Sequence, residues 1–88
     1  MSIKSVKVGV IGCGFIAQTA HLPALLKSKS ARVVAVCDRN EELAKKVAND
    51  FGVKGYYIDF SKMLKEEQLD MVDICTPIQP MHLYPFKP

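Results

Sequence analysis

Residues 6–17, which read VKVGVIGCGFIA, decide the fold of this chain. The segment Val6–Ile11 is a short apolar run rich in β-branched residues, a pattern typical of a buried strand. Gly12 closes the run, and the residues from Phe15 to Ala20 have a helical pattern. The stretch therefore predicts a strand that turns at a glycine into a helix.

Strands and helices alternate along the rest of the chain. A break in the first helical region is expected near His21, since Pro23 is tolerated only in the first turn of a helix. Four consecutive apolar residues from Val33 to Val36 predict a second strand that is covered on both faces. Asn40 is expected to cap a helix that continues to Phe51, with Gly52 just past its end. The remaining expected elements are a strand at 56–58, a brief helix capped by Asp59, and a strand at 71–75.

This βαβαβαβ order predicts an α/β fold with a doubly wound parallel sheet. It corresponds to the first mononucleotide-binding half of a Rossmann fold, with strand order 3-2-1-4. Residues 1–77 are expected to form this half-domain. Four of the five prolines lie in the last twelve residues, so residues 78–88 are expected to form an irregular tail.

Composition excludes several classes of protein. The chain has a net charge of +3, and its lysines alternate with acids, so a nucleic-acid partner is not indicated. No apolar run reaches the ~18–20 residues of a membrane span, and no secretory signal is evident, so a cytoplasmic location without membrane contact is expected. Three separated cysteines predict reduced thiols rather than a disulfide framework or a CxxC zinc site.

The segment GCGFIA has the G-x-G-x-x-A form of the dinucleotide-binding fingerprint. Gly12 lets the chain turn sharply out of the strand, the absent side chain of Gly14 lets pyrophosphate approach the backbone, and Ala17 lets the helix pack closely. The helix N-terminus attracts the pyrophosphate through its N–H groups and its dipole. The alternative is a tight βα turn without a ligand. The candidate cofactor-binding residues of this segment are Gly12, Gly14, Phe15, Ile16 and Ala17.

Asp38 ends the second strand about 20 residues downstream, where the fingerprint requires an acid. Its carboxylate is expected to accept hydrogen bonds from the adenosine ribose and to repel a 2′-phosphate, so NAD is the expected cofactor. Arg39 leaves NADP open, because its guanidinium could stack on adenine or pair with a 2′-phosphate. Asp38 could instead be a solvated turn residue. A methyltransferase is a further alternative, but its loop would place an acid before the first glycine, where this chain has Val10 and Ile11.

Three segments resemble the N-terminal domain of the Gfo/Idh/MocA oxidoreductases, over about residues 4–77: VKVGVIGCGFIAQTAHLPAL, VVAVCDRN and DMVDICTP. The resemblance implies NAD(P) binding and the oxidation or reduction of sugars, inositols, biliverdin or dihydrodiols. It implies that Thr76 and Pro77 border the nicotinamide ribose and that Ile11 lies on the adenine side of the cleft. Its most specific pieces are the H-x-P, D-R and T-P patterns at residues 21–23, 38–39 and 76–77.

The sequence departs from this family pattern after Pro77. His82 lies about one residue later than the histidine of the family pattern. Lys87 follows Thr76 by eleven residues, which leaves no room for the helix and strand that precede the catalytic lysine of the family. We therefore expect Lys87 to be an exposed tail residue and the C-terminal substrate domain to be absent.

Two classes of function remain open at this point. The chain is either the cofactor half of an oxidoreductase, inert without a missing domain, or a non-catalytic nucleotide-binding or dimerising module or gene remnant. The apolar last strand at the sheet edge predicts a homo-oligomer.

Other residues whose side chains could take part in catalysis or metal binding are expected to have structural roles. His21 could approach a nicotinamide pocket, but a histidine beside a helix break is expected to be a capping or surface group. The three cysteines fall near the carboxyl ends of strands 1, 2 and 4 and could cluster there. They are expected to be small apolar filling, because no histidine or fourth thiolate completes a closed tetrahedral zinc site. Asp70 and Asp73 are expected to face opposite ways on their strand, which excludes paired-carboxylate catalysis.

Overall fold

The structure is a computed structural model that describes residues 5–75. Thr76, Pro77 and the tail at 78–88 lie outside the described residues, so the expectations for them stay predictions. The elements run as β1 Val6–Ile11, a π-helical turn Ala17–His21, α1 Leu22–Lys27, β2 Ala31–Cys37, α2 Glu41–Phe51, β3 Gly55–Tyr57, α3 Phe60–Glu66 and β4 Met71–Ile74.

The four strands form one parallel sheet in the order β3-β2-β1-β4. In the central register Val10 of β1 lies opposite Val36 of β2 on one side and Asp73 of β4 on the other. Because each strand runs parallel to its neighbour, all carboxyl ends meet at one edge of the sheet. The predicted doubly wound Rossmann half-sheet and its strand order are confirmed.

Helices pack on both faces of this sheet. One cluster of buried residues joins Val10 and Val36 to Leu22 of α1 and Val47 of α2. A second cluster joins Ala35 and Cys37 of β2 to Met63 of α3. Val36 and its neighbours in β2 point to opposite faces, as successive residues in a strand do. The apolar run of β2 is therefore buried on both sides, which explains why it does not alternate with polar residues.

The helix ends follow the sequence signals. The Asn40 side chain accepts a hydrogen bond from the Leu43 N–H at 3.1 Å, and Gly52 ends α2 in the left-handed region at φ 69°. Asp59 caps α3 by accepting from the Ser61 N–H at 2.8 Å. These caps satisfy backbone groups that a helix end leaves without partners. β3 begins and ends one residue earlier than expected, and β4 ends one residue earlier than expected.

The expected break near His21 is wrong. The backbone stays helical through this region, and the Leu22 N–H donates to the Ala17 carbonyl across a wide π turn. Pro23 lies in the first turn of α1, where its missing N–H is tolerated. The chain therefore accommodates proline by widening one turn rather than by leaving the helix.

Within residues 5–75, no helix combines the length and the apolar character that crossing a bilayer needs.

Candidate functional site

The glycine loop, defined here as residues 12–17, leaves β1 through a backbone conformation that favours glycine. Gly12 has φ 99°, is buried, and donates its N–H to the Cys37 carbonyl at 2.7 Å. A side chain at this φ would strain the backbone. Gly14 is exposed, and apart from its chain neighbours no atom of residues 5–75 lies within 4 Å of the position a Cβ would take there. The loop is therefore open at Gly14, which fits a group that comes close to the backbone.

The start of the helix separates a solvent-facing side from a buried side. Phe15 is 76% exposed and Ile16 is 50% exposed, whereas Ala17 is fully buried against the core. The Gln18 side chain donates to the Cys13 carbonyl at 2.9 Å and so fixes the loop to its own helix. Ala17 has the close helix-to-sheet packing that the fingerprint predicts.

Asp38 joins the ends of three strands. Its Oδ2 accepts from the Cys13 N–H at 2.9 Å, and its Oδ1 accepts from the Asn40 N–H at 2.9 Å. Its own N–H donates to the Tyr57 carbonyl at 3.0 Å. Each carboxylate oxygen can accept a second hydrogen bond, so the half-buried carboxylate retains capacity for hydroxyl groups. The structure thus brings the acid directly against the glycine loop.

A groove of about 390 Å³ extends from this carboxylate across the carboxyl ends of β1, β2 and β3. Ile58 and Phe60 form apolar walls and are each about half exposed, at 50% and 52%. Sequence reasoning missed these two residues. They directly follow β3, and the carboxyl edge of an open parallel sheet is where ligands bind, so their position after that strand could have identified them. The complete lining is Ile11, Cys37, Asp38, Arg39, Ile58, Asp59 and Phe60.

A larger groove of about 590 Å³ lies beside β3 and α3, and its lining includes neither Asp38 nor Ile11, the residue that precedes the glycine loop. Tyr57, Lys62 and Glu66 line it. A hydrogen bond to the Glu67 carboxylate raises the pKa of the Tyr57 hydroxyl. Because this groove lies away from the fingerprint, we assign the ligand site to the smaller one.

The three cysteines are buried free thiols. The expectation that no histidine accompanies them is wrong for Cys75, because a ring nitrogen of His21 lies within 4.8 Å of its Sγ. Burial, together with the nearby Asp38 carboxylate, raises the pKa of Cys13 to about 12. Burial also raises the pKa of Cys37, and it raises that of Cys75 to about 11. Since the thiolate is the nucleophilic form, these pKa values argue against covalent catalysis by the thiols at neutral pH.

His21 has a partner that the sequence did not indicate. Its Nδ1 lies 2.8 Å from Oδ2 of Asp73 in β4, and it makes no side-chain capping bond to α1. The Asp70 carboxylate has a different partner and accepts a hydrogen bond from the Lys7 N–H at 2.9 Å. The two acids therefore serve separate contacts, and Asp70 lies just before β4 rather than on it.

The comparisons with known proteins agree with this geometry. The model of the oxidoreductase family with an NAD-binding Rossmann fold, Gfo/Idh/MocA, matches residues 6–83. A D-apiose dehydrogenase from Paraburkholderia graminis is 40% identical over 75 residues, which cover 85% of this chain and 20% of that protein. An inositol 2-dehydrogenase/D-chiro-inositol 3-dehydrogenase from Shouchella clausii is 39% identical over 74 residues, covering 82% and 21%.

Solved structures give the same result. An oxidoreductase from Agrobacterium radiobacter, in complex with NAD+, L-tartaric acid and magnesium, superposes with a TM-score of 0.79 at 33% identity. The alignment covers 85% of this chain and 22% of that one. The WlbA dehydrogenase from Bordetella pertussis, in complex with NADH and UDP-GlcNAcA, has a TM-score of 0.75 at 27% identity, covering 84% and 22%.

This chain spans about a fifth of the length of these relatives. The family match extends through the strands, the glycine loop and Asp38, so it includes the groove described above. The chain belongs to the Gfo/Idh/MocA oxidoreductase family and carries its NAD-binding Rossmann fold.

Proposed function

We propose that the glycine loop and Asp38 bind the pyrophosphate and the adenosine ribose of NAD(H). The observation that carries this proposal is the 2.9 Å hydrogen bond from the Cys13 N–H to Asp38, which sets the acid beside the loop. A pyrophosphate over Gly14 and the following helix N-terminus is then one sugar away from the carboxylate. The open space at Gly14 fits such a group, because no protein atom occupies it.

The groove beyond Asp38 suits an adenosine moiety. Ile58 and Phe60 offer apolar surfaces to a flat ring, and Arg39 offers a guanidinium that can stack on it. Asp38 and Asp59 together place two carboxylates in a groove with one guanidinium. This charge disfavours a 2′-phosphate, so we propose a preference for NAD over NADP.

The chemistry proposed for the assembled enzyme is hydride transfer, which the nicotinamide ring supplies when the cofactor is bound. The residues of this chain bind and orient the dinucleotide. We propose that substrate binding and proton transfer belong to the length of the relatives that this chain does not cover. The names of those relatives suggest sugars and cyclic polyols as the substrate class. A non-catalytic nucleotide-binding module remains the second candidate, and it shares the same groove.

We also propose that β4 mediates self-association. Among residues 5–75, β4 pairs with β1 on one side, and its Met71 and Ile74 are 42% and 65% exposed. A strand that pairs on one side only within the described residues is a template for pairing with a second copy. Sedimentation of the chain over a range of concentrations is expected to show a dimer. A strict monomer at high concentration would contradict this part of the proposal.

Titration calorimetry of the 88-residue chain tests the cofactor proposal. NAD+ and NADH are expected to bind at one site, with NADP+ weaker by about tenfold or more, or about 1.4 kcal/mol. S-adenosylmethionine serves as the control for the methyltransferase alternative and is expected not to bind. Circular dichroism establishes that the chain is folded. A folded chain that binds neither NAD+ nor NADH would refute the proposal.

A further inference from the structure

Three side chains with different metal-binding atoms lie together beside the carboxyl end of β4. A ring nitrogen of His21, a carboxylate oxygen of Asp73 and the Sγ of Cys75 all lie within 4.8 Å of one another. We propose that this group, called here the β4 cluster, is a binding site for a transition-metal ion of the zinc class. The proposal is independent of the cofactor groove, because none of the three residues lines it.

The fold fixes each ligand from a different part of the backbone. Asp73 and Cys75 are two residues apart along the line of β4, so their side chains point to the same face. The Cys75 N–H donates to the Ile11 carbonyl at 2.7 Å, which extends the register of the sheet to this residue. His21 comes from the π-helical turn, whose extra residue alters the direction in which a side chain leaves the helix. Such turns are frequent at functional sites.

The spacing of the three atoms suits one ion. Zinc bonds of about 2.0–2.3 Å in a tetrahedral site place neighbouring ligand atoms roughly 3.3–3.8 Å apart. The His21 and Asp73 atoms are 2.8 Å apart and need to separate slightly, whereas the pairs that include Cys75 lie within the 4.8 Å limit. An ion would replace the hydrogen bond between the imidazole and the carboxylate. Small rotations of side chains therefore suffice to form the site.

Burial and charge also favour an ion. Cys75 is 7% exposed, whereas the side chains of Asp73 and His21 are 21% and 37% exposed. An ion can thus enter past the imidazole and the carboxylate and meet the sulfur in the interior. A doubly charged cation with one carboxylate and one thiolate forms a neutral site, which limits the cost of burying charge. Three protein ligands leave the fourth position to water, as in open zinc sites.

Binding of the ion changes no oxidation state and therefore needs no oxidant or reductant. The S–H bond of Cys75 breaks, its proton passes to solvent, and the sulfur electron pair forms the bond to the metal. The neutral His21 imidazole and the Asp73 carboxylate each donate an existing lone pair. The donor set selects the ion, since thiolate and imidazole favour zinc or cobalt, whereas magnesium favours oxygen ligands.

Cobalt(II) titration of the untagged 88-residue chain tests this inference. We expect one ion per chain, a thiolate-to-cobalt charge-transfer absorption, and the release of one proton per ion. An excess of Mg²⁺ is expected not to displace the cobalt. X-ray absorption of the zinc-loaded chain is expected to show one sulfur at about 2.3 Å with nitrogen and oxygen at about 2.0–2.1 Å.

Matched variants locate the site. Cys75→Ser is expected to abolish the charge-transfer absorption, and His21→Gln and Asp73→Asn to weaken cobalt binding at least about tenfold. Cys37→Ser removes a thiol outside the cluster, and His82→Gln removes the other of the two histidines in the chain. Both controls are expected to retain the absorption.

Three results would overturn the inference. They are the absence of saturable cobalt absorption in the unaltered chain, an absorption that survives Cys75→Ser, and an absorption that is lost in His82→Gln. If Cys75→Ser does not fold, His21→Gln and the sulfur count from X-ray absorption decide the question, since His21 is partly exposed and the count needs no substitution. Absorption data without sulfur would then refute the site.

Discussion

The Asp38 carboxylate accepts a hydrogen bond from the Cys13 backbone N–H at 2.9 Å, which links residues 25 positions apart in the chain. This contact ties the carboxyl end of β2 to the loop that leaves β1. Asp38 therefore has a structural role in the unliganded chain besides the role proposed in ribose binding. A loss of cofactor binding on replacing Asp38 has two explanations, so the two roles need separate tests.

Replacing Asp38 by alanine is expected to destabilise the chain. The substitution removes the acceptors of the Cys13 and Asn40 N–H groups, and hydrogen bonds to charged groups contribute about 1.5–3 kcal/mol each. Since the site is half exposed, water replaces part of this, and we expect a loss of about 1–3 kcal/mol. Urea denaturation measures it. Asp50→Ala, which breaks an exposed pair with Lys46, is the control and should cost less than about 0.5 kcal/mol. Equal losses in both variants would contradict the structural role.

Gly14→Ala separates cofactor binding from folding. In the part of the chain that the structure describes, only the chain neighbours of Gly14 come within 4 Å of the added Cβ, and Gly14 does not have a positive φ, so the urea midpoint is expected to stay unchanged. The same methyl group would occupy the space proposed for the pyrophosphate. We therefore expect NAD+ affinity to fall by about tenfold or more, or about 1.4 kcal/mol. Calorimetry checks this change. Unchanged affinity in a folded Gly14→Ala chain would place the phosphates elsewhere.

Gly52→Ala is expected to weaken the end of α2 without touching the groove. Gly52 has φ 69°, and a residue with a Cβ costs roughly 1–2 kcal/mol in the left-handed region. Gly52→Asn is the matched variant, because asparagine adopts this region more readily. Thermal or urea unfolding should rank the glycine chain first, asparagine second and alanine third, with NAD+ affinity equal in all three. An alanine variant as stable as the original would contradict the geometry of the cap.

The raised pKa values of the thiols predict how the free energy of unfolding varies with pH. The pKa of Cys13 rises from about 9 to about 12 on folding, and that of Cys75 rises to about 11. Above pH 9 the unfolded chain releases thiol protons that the folded chain keeps, so the free energy of unfolding falls as pH rises towards 12. Below pH 9 this contribution is fully present. Urea midpoints measured from neutral pH to about pH 10 test the trend. Cys13→Ala should flatten it, and an equally steep fall in that variant would contradict the assignment.

Local signals in the sequence account for much of the fold. The apolar run of β1, the glycine that closes it and the caps Asn40 and Asp59 each act within a few residues, and the structure places all of them as expected. Asp38 was predictable because a fixed spacing relates it to the glycine loop. The strand order followed from the alternation of strands with helices.

The rest depends on contacts that local signals do not encode. The pair of His21 and Asp73 joins residues 52 positions apart, and His21 lies in the π turn found where a break was expected. Proline can end a helix or widen it, and packing of α1 on the sheet decides between the two. Ile58 and Phe60 line the groove because β3 ends beside β2, which is a property of the sheet rather than of either residue.

The most direct test of the account is a nuclear magnetic resonance titration of the ¹⁵N-labelled chain with NAD+. The account predicts that the largest saturable shifts of backbone amides fall on residues 12–17 and on Asp38 and Arg39, with smaller shifts at Ile58 and Phe60, and that α2 stays unchanged. Shifts centred on the groove beside Tyr57 and Lys62, or no saturable shift in a folded chain, would contradict the claim that the glycine loop and Asp38 bind the dinucleotide.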